Sequence, residues 1–465
     1  MIKYYFEDRQ KNGYISIKKN YIINIEKDDK NIILKKEECE NNFDEQTRPF
    51  RSLKGQLTAL DISRELANVK NIGFEVTDSC NLNCTYCIYG NYYDNHDPRL
   101  NKKIDTNKAK LLIDYIVCRF NSLDNFSFKN DVYISFYGGE PLLNIDFIKE
   151  IVSYTRNKED KNLRFKYQMT TNGVYLKKYI DYIVDNNIFL TISLDGSETN
   201  DAYRRFRNGK SSFNSVFKTL KFIQNRYSDF FKKCVKFNSV LHNLNNYQEA
   251  FSFIYNEFGK IPNFSTLNRT GVKTKSNDEF EIMYKQREIN CGEKLKEMEI
   301  ILDLETNSAN QFQSFVFNYS GNIYENYNDL LEEDSNVEYL PTGTCIPFSR
   351  RIFMTVNNKI FPCERIGHQY FLGEVTDNEV LIDYEKIANT YNSYYKSISV
   401  LCSKCFRNKH CLLCLFSVNN ILDNPICDQM MNKEEFEDYI LKNMQIISKN
   451  YSLYRRIMNE ILLFK

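Results

Sequence analysis

Residues 71–87 read NIGFEVTDSCNLNCTYC: an apolar run, a short polar step, then Cys80, Cys84 and Cys87 in the spacing C-x3-C-x2-C. The run Ile72 to Val76 predicts a buried strand. Three thiolates on one tight turn behind it converge on one face of a metal cluster. In an iron-sulfur cube they fill three of the four corners, and the remaining iron stays open to another ligand, which is where chemistry is expected. A lone cysteine would mean only packing. This spacing directly after a strand points to a cluster, with zinc or a structural turn as the alternative.

Outward from that loop, apolar stretches recur at Val132–Phe136, Phe165–Met169, Phe189–Ser193 and Val235–Val240, with helical spacing between them, as in Lys108–Phe120 and Tyr175–Val184. That alternation predicts βαβ units and an α/β fold built on a parallel sheet or barrel. Sites on such sheets lie at the carboxyl ends of the strands. Three polar motifs fall there: Gly138-Gly139-Glu140-Pro141, Thr170-Thr171-Asn172-Gly173 and Ser193-Leu194-Asp195-Gly196. Paired glycines let a ligand approach the backbone, and a glutamate suits a cationic amine. Arg204 offers a planar fork to a carboxylate. Taken singly, each of these is also an ordinary turn or cap.

A second cysteine group runs Cys345, Cys363, Cys402, Cys405, Cys411, Cys414 and Cys427. Its two C-x2-C pairs alone would read as a zinc ribbon, but seven cysteines exceed one site. Cys39, Cys118, Cys234 and Cys291 read as ordinary residues, Cys118 as packing within an amphipathic helix. With only four histidines, imidazole-based metal sites and Cys-His or Ser-His catalysis have little material.

The chain has 465 residues, enough for two or three units. Its net charge is +1, from 62 basic and 61 acidic residues, with no dense basic stripe for nucleic acid. The charged start and the lack of a long apolar run argue against a signal peptide and a membrane span, so a cytoplasmic protein is expected. The expected divisions are a β-rich extension over 1–70, a barrel over 71–278, a bridge over 279–340, a cysteine-rich domain over 341–430 and a helix over 431–465.

The cysteine loop, with Tyr86 just before its third cysteine, and the G-G-E-P motif after the next strand resemble the radical S-adenosylmethionine enzymes. The resemblance implies a partial (β/α)6 TIM-like barrel with a small N-terminal α+β extension. S-adenosylmethionine would sit on the open iron of a [4Fe-4S] cluster held by Cys80, Cys84 and Cys87. Tyr86, Gly138, Gly139, Glu140, Pro141, Thr171, Asn172, Ser193, Asp195 and Arg204 become candidate cofactor contacts. The downstream cysteines resemble the SPASM domain, which holds two auxiliary [4Fe-4S] clusters, making three in all. The family pattern assigns Cys402, Cys405, Cys411 and Cys427 to the outer cluster, and Cys345, Cys363 and Cys414 to an inner one that is short of a ligand. Cys291 and His410 are further possible ligands. The implied function is maturation of a precursor peptide, with a thioether at cysteine as product. The implied partners are that peptide and a low-potential donor such as flavodoxin or ferredoxin, and residues 1–70 are a candidate leader-binding unit through strand addition. Formylglycine formation in sulfatases and a non-catalytic iron-sulfur scaffold are the alternatives.

Overall fold

The computed structural model describes residues 13–17, 21–28, 31–37, 53–127, 130–160, 163–273, 276–284, 340–408 and 411–436, with a few more up to 443. Cys39, Cys291, His410 and most of the expected bridge and C-terminal helix lie outside them. Early in the chain, Gly13–Ile17 (β1), Tyr21–Asp28 (β2) and Asn31–Glu37 (β3) pair antiparallel in the order β1-β2-β3. Their runs of β-branched residues broken by Asn, Gly and Asp are what a meander requires.

Helix Ala59–Ala67 (α1) opens on a capping box in which Thr58 and Asp61 satisfy each other's backbone N–H groups. It leads into strand Asn71–Thr77 (β4), whose Ile72, Phe74 and Val76 are fully buried. Helix Thr106–Phe120 (α2), capped by Asp105, connects β4 to Asp131–Gly138 (β5). Helix Ile145–Arg156 (α3), strand Arg164–Thr171 (β6), helix Leu176–Asp185 (α4) and strand Phe189–Ser193 (β7) repeat the pattern. Helices Phe213–Arg226 (α5) and Ser228–Cys234 (α6) precede Val235–Leu241 (β8). Helix Tyr247–Phe258 (α7), closed by left-handed Gly259, precedes Asn263–Thr266 (β9).

Strands β4 to β9 pair in parallel, in chain order. Phe74 and Phe136 both meet Phe147 of α3 edge-on, so alternate residues of β4 and β5 face the helices. Burial of each such side chain contributes about 1.5–3 kcal/mol. The opposite face is polar: Gln168 donates to Ser135, and Ser135 to Asn71, each at 2.6 Å.

After helix Asn277–Tyr284 (α8), the sheet continues on its other edge. Ile352–Met354 (β10) pairs parallel with β4, and Lys359–Phe361 (β11), Gly373–Val375 (β12) and Val380–Ile382 (β13) extend it antiparallel. Helix Tyr384–Cys402 (α9) follows. Leu57–Met298 and Cys345–Tyr391 form one compact unit, and Met1–Gln56, Glu299–Thr344 and Asn392–Lys465 another. The stretch read as one domain over 341–430 is therefore divided, because β10 to β13 complete the barrel's sheet. Cys118 is exposed rather than packed: α2 buries Ala109, Leu112, Ile113, Ile116 and Phe120, and position 118 falls off that face. Among the described residues no helix is long and apolar enough to cross a membrane.

Candidate active site

Cys80, Cys84 and Cys87 lie on the loop that leaves β4, and that loop is clamped from two sides. From β5, Gly139 N–H donates to the Thr77 carbonyl and Glu140 N–H to that of Ser79, each at 2.9 Å. A Cβ on Gly139 would stand 2.1 Å from the Ser79 carbonyl oxygen. The paired glycines thus permit a close approach by the chain's own loop. From the other side, Asn83 N–H donates to Arg205 (2.7 Å), Thr85 N–H to Tyr203 (3.1 Å) and Arg207 Nε to the Cys80 carbonyl (3.0 Å).

Two of the three sulfurs face backbone N–H groups. Leu82 N–H points at Cys80 Sγ (3.4 Å), and the Tyr89 N–H serves Cys87 in the same i+2 pattern. Burial pushes the Cys84 thiol up to about 12 and raises Cys80 and Cys87 as well.

Glu140 is fully buried, and its carboxylate accepts from Thr171 Oγ1 (2.7 Å), Asn172 N–H (2.8 Å) and Leu142 N–H (3.1 Å). Burial raises its pKa against the pull of those bonds. Pro141 starts the single turn that Glu140 caps. Asn172 Nδ2 donates to Asn81 (2.9 Å) and lies 3.8 Å from Cys80 Sγ. The G-G-E-P and T-T-N-G motifs are therefore one hydrogen-bonded unit that holds the start of the loop.

Tyr86, Asp195 and Arg204 also come together, with two partners that the sequence reading did not single out. The Tyr86 hydroxyl donates to Asp195 Oδ2 and accepts from Arg204 Nη1 at 3.0 Å. Val240 N–H donates to Asp195 Oδ1 (2.9 Å), and Asp195 N–H to Asp201 Oδ1 (3.0 Å). His242 stacks on Tyr86 and places Nε2 3.7 Å from Asp195 Oδ2. Burial and the Asp195 charge hold Asp201 well above the carboxylate range. Burial works against the Arg204 charge, but Tyr86, Cys84, Asp195 and Asp201 outweigh it and raise its pKa. The Tyr86 hydroxyl thus joins Asp195 to Arg204. Ser193 ends β7 beside Asn238 of β8, which accepts from Ser265 at 2.7 Å.

A further buried cluster follows Cys87. Arg99 pairs with buried Glu75 and lies 3.9 Å over the Tyr89 ring, and His96 packs edge-on against Tyr89 and His368. Burial, then His368, lowers His96 to about 3, and burial lowers His368. These groups charge more readily in the unfolded chain, so their contribution is complete above the ordinary histidine range and is lost as pH falls below about 6.5. Unfolding free energy should drop by about 1 kcal/mol between about pH 7.5 and 5.5 on account of His96. Urea unfolding of His96→Phe at the two pH values should show that share gone; an unaltered pH dependence would count against the assignment.

In the other unit, Cys402, Cys405, Cys411 and Cys427 all line one cavity of about 30 Å3. Met431 N–H points at Cys405 Sγ (3.4 Å), and Leu413 and Gln429 N–H groups serve Cys411 and Cys427. In the barrel unit Cys345 is exposed, while burial pushes Cys363 up to about 12 and Arg365 N–H points at its sulfur (3.4 Å). Cys414 precedes the turn Leu415–Ser417. Among the described residues no three His, Cys, Asp or Glu side chains converge as the ligands of a single ion do. The cysteines Cys402, Cys405, Cys411 and Cys427 thus share one cavity, and three of them receive a backbone N–H.

A parallel β/α sheet with three clamped cysteines at the mouth of its first parallel strand defines the class, and comparison agrees. Residues 74–253 match the Radical SAM superfamily, so the chain carries a radical SAM domain. It is 34% identical over 154 residues to a cysteine-type anaerobic sulfatase-maturating enzyme of Clostridium novyi, spanning 32% of this chain and 39% of that one. It is 23% identical over 400 residues to the radical SAM cyclopropyl synthase TigE of Paramaledivibacter caminithermalis, 84% of this chain and 77% of that one. The chain spans less than half the length of the first curated relatives it matches. The solved structure of native anSMEcpe with bound AdoMet shares the fold at a TM-score of 0.53 and 15% identity, over 84% of this chain and all of that one. That protein was also solved with a peptide bound.

Proposed function

We propose that this protein is a radical S-adenosylmethionine peptide maturase that joins a cysteine of a precursor peptide to one of its carbons as a thioether. The observation that carries the reading is the second cysteine group: the radical SAM domain is accompanied by seven further cysteines, four of them around one cavity. The likeness to TigE runs over 400 residues, and the fold relative binds a peptide. When bound, the first cluster and S-adenosylmethionine supply a 5′-deoxyadenosyl radical that takes one hydrogen atom from the substrate carbon. Cys80, Cys84 and Cys87 hold that cluster, and Glu140, Thr171, Asn172, Tyr86, Asp195 and Arg204 fix the loop that carries them. In the overall change a C–H and an S–H bond break and a C–S bond forms. One hydrogen leaves in 5′-deoxyadenosine, one proton goes to solvent, and the remaining electron would pass to an auxiliary iron-sulfur cluster held by the second cysteine group. Flavodoxin or ferredoxin supplies the electron that starts each turnover.

The test is anaerobic reconstitution, iron and sulfide counting, and reaction with S-adenosylmethionine, dithionite and a cysteine-containing peptide encoded beside this gene. About twelve irons, falling to about eight when Cys80, Cys84 and Cys87 are all changed to alanine, should accompany 5′-deoxyadenosine release. The peptide should lose two hydrogens and one titratable thiol. A hydrazine-reactive aldehyde in place of the thiol would favour sulfatase maturation, the reading that the likeness to the Clostridium novyi enzyme supports. Well-loaded protein that leaves S-adenosylmethionine intact would overturn both.

A further inference from the structure

We propose that the Asn408 carboxamide donates an N–H···S hydrogen bond to the iron-sulfur cluster of Cys402, Cys405, Cys411 and Cys427 and thereby sets that cluster's reduction potential. Asn408 is only 7% exposed, and among the described residues neither its Nδ2 nor its Oδ1 has a partner. A buried amide left unpaired is costly and rare, and here the group that can answer it is the occupant of the cavity. Asn408 lines the same cavity as the four thiols, and its own N–H, bonded to the Cys405 carbonyl at 3.1 Å, anchors it on the turn behind that cysteine.

Most of the remaining lining is apolar, including Ile398, Leu401, Leu413 and Val418. Of the other polar side chains there, Thr342 bonds Thr344, Arg407 lies over the Tyr439 ring and Gln429 is exposed. Cys405, Cys411 and Cys427 each receive a backbone N–H, whereas among the described residues Cys402 receives none. Asn408 supplies the missing donor. Hydrogen bonds to sulfur stabilise the reduced, more negative cluster, so they raise its potential.

The inference rests on the outer-cluster reading, and the experiment separates the two. Full-length protein with Cys80, Cys84 and Cys87 changed to alanine isolates the auxiliary signals, which are followed by potentiometric EPR titration with and without Asn408→Leu. At the parent's midpoint the reduced-to-oxidised ratio of one cluster should fall about tenfold, which is about 59 mV for one electron. Asn408→Asp keeps the size, removes the donor and adds charge, so its midpoint must fall too, even if the leucine variant loses iron. Iron content unchanged with an unmoved midpoint in Asn408→Asp would overturn the role of Asn408. Zinc in place of iron, or an iron count indifferent to Cys402→Ser and Cys405→Ser, would instead overturn the cluster reading and the proposal with it.

Discussion

Arg204→Leu should keep the barrel but load little iron on Cys80, Cys84 and Cys87, with S-adenosylmethionine cleavage down at least tenfold. Arg204 is the cation set among Asp195, Asp201 and Tyr86, all of them buried. Taking one partner from a buried charge network leaves the others uncompensated, at about 3–5 kcal/mol. The loss is felt first at the loop, since Tyr86 is one residue from Cys87 and its hydroxyl is held by Arg204 on one side and Asp195 on the other. Arg204→Lys keeps the charge without the planar fork and should fall between the two. Iron analysis and thermal unfolding under argon check this, and a leucine variant with full iron and an unchanged midpoint would show that the network does not support the cluster loop.

What could be read from the sequence follows from how each element is stabilised. Strands β4 to β8 announce themselves because one face is buried under helices, which forces apolar runs such as Ile72–Val76 and Val132–Phe136. Strand β9, with the sequence NFST and an incompletely buried pattern, carries no such mark. Strands β10 to β13 are three residues each, and their place beside β4 is a long-range pairing that no local pattern encodes. The candidate site divides the same way. Cysteine spacing is a local signal and was legible. The pairing of Glu140 with Thr171 and Asn172, and the entry of His242 and Asp201 beside Tyr86, depend on residues far apart in the chain. Cys118 shows the converse: a helical pattern was evident, but one cysteine's place on it needed the observed burial of its neighbours.

Gly139→Ala should severely impair cluster assembly at the first cysteine loop. The new Cβ would meet the Ser79 carbonyl oxygen at 2.1 Å and its carbon at 2.5 Å, and both are backbone atoms that no rotamer change can move. Either β5 or the cysteine loop has to retreat. The loop is the softer of the two, because β5 is paired on both edges, to β4 and β6. Its retreat breaks the bonds from Gly139 and Glu140 to Thr77 and Ser79, which set the distance between the strand ends and Cys80. Overpacking of this kind costs about 1–3 kcal/mol, and here most of it falls on the loop rather than on the core. Iron bound by the first site should therefore drop severely while the unfolding midpoint moves only a little. Gly259→Ala is the control for backbone strain without a clash: its φ of 62° is unsuited to alanine, but nothing lies within 4 Å of the added carbon. It should cost about 1 kcal/mol of stability and leave iron loading and 5′-deoxyadenosine release as they were. If both variants load iron normally, the clamp between β5 and the cysteine loop does not govern assembly of the site; if both lose it, the effect is one of general stability.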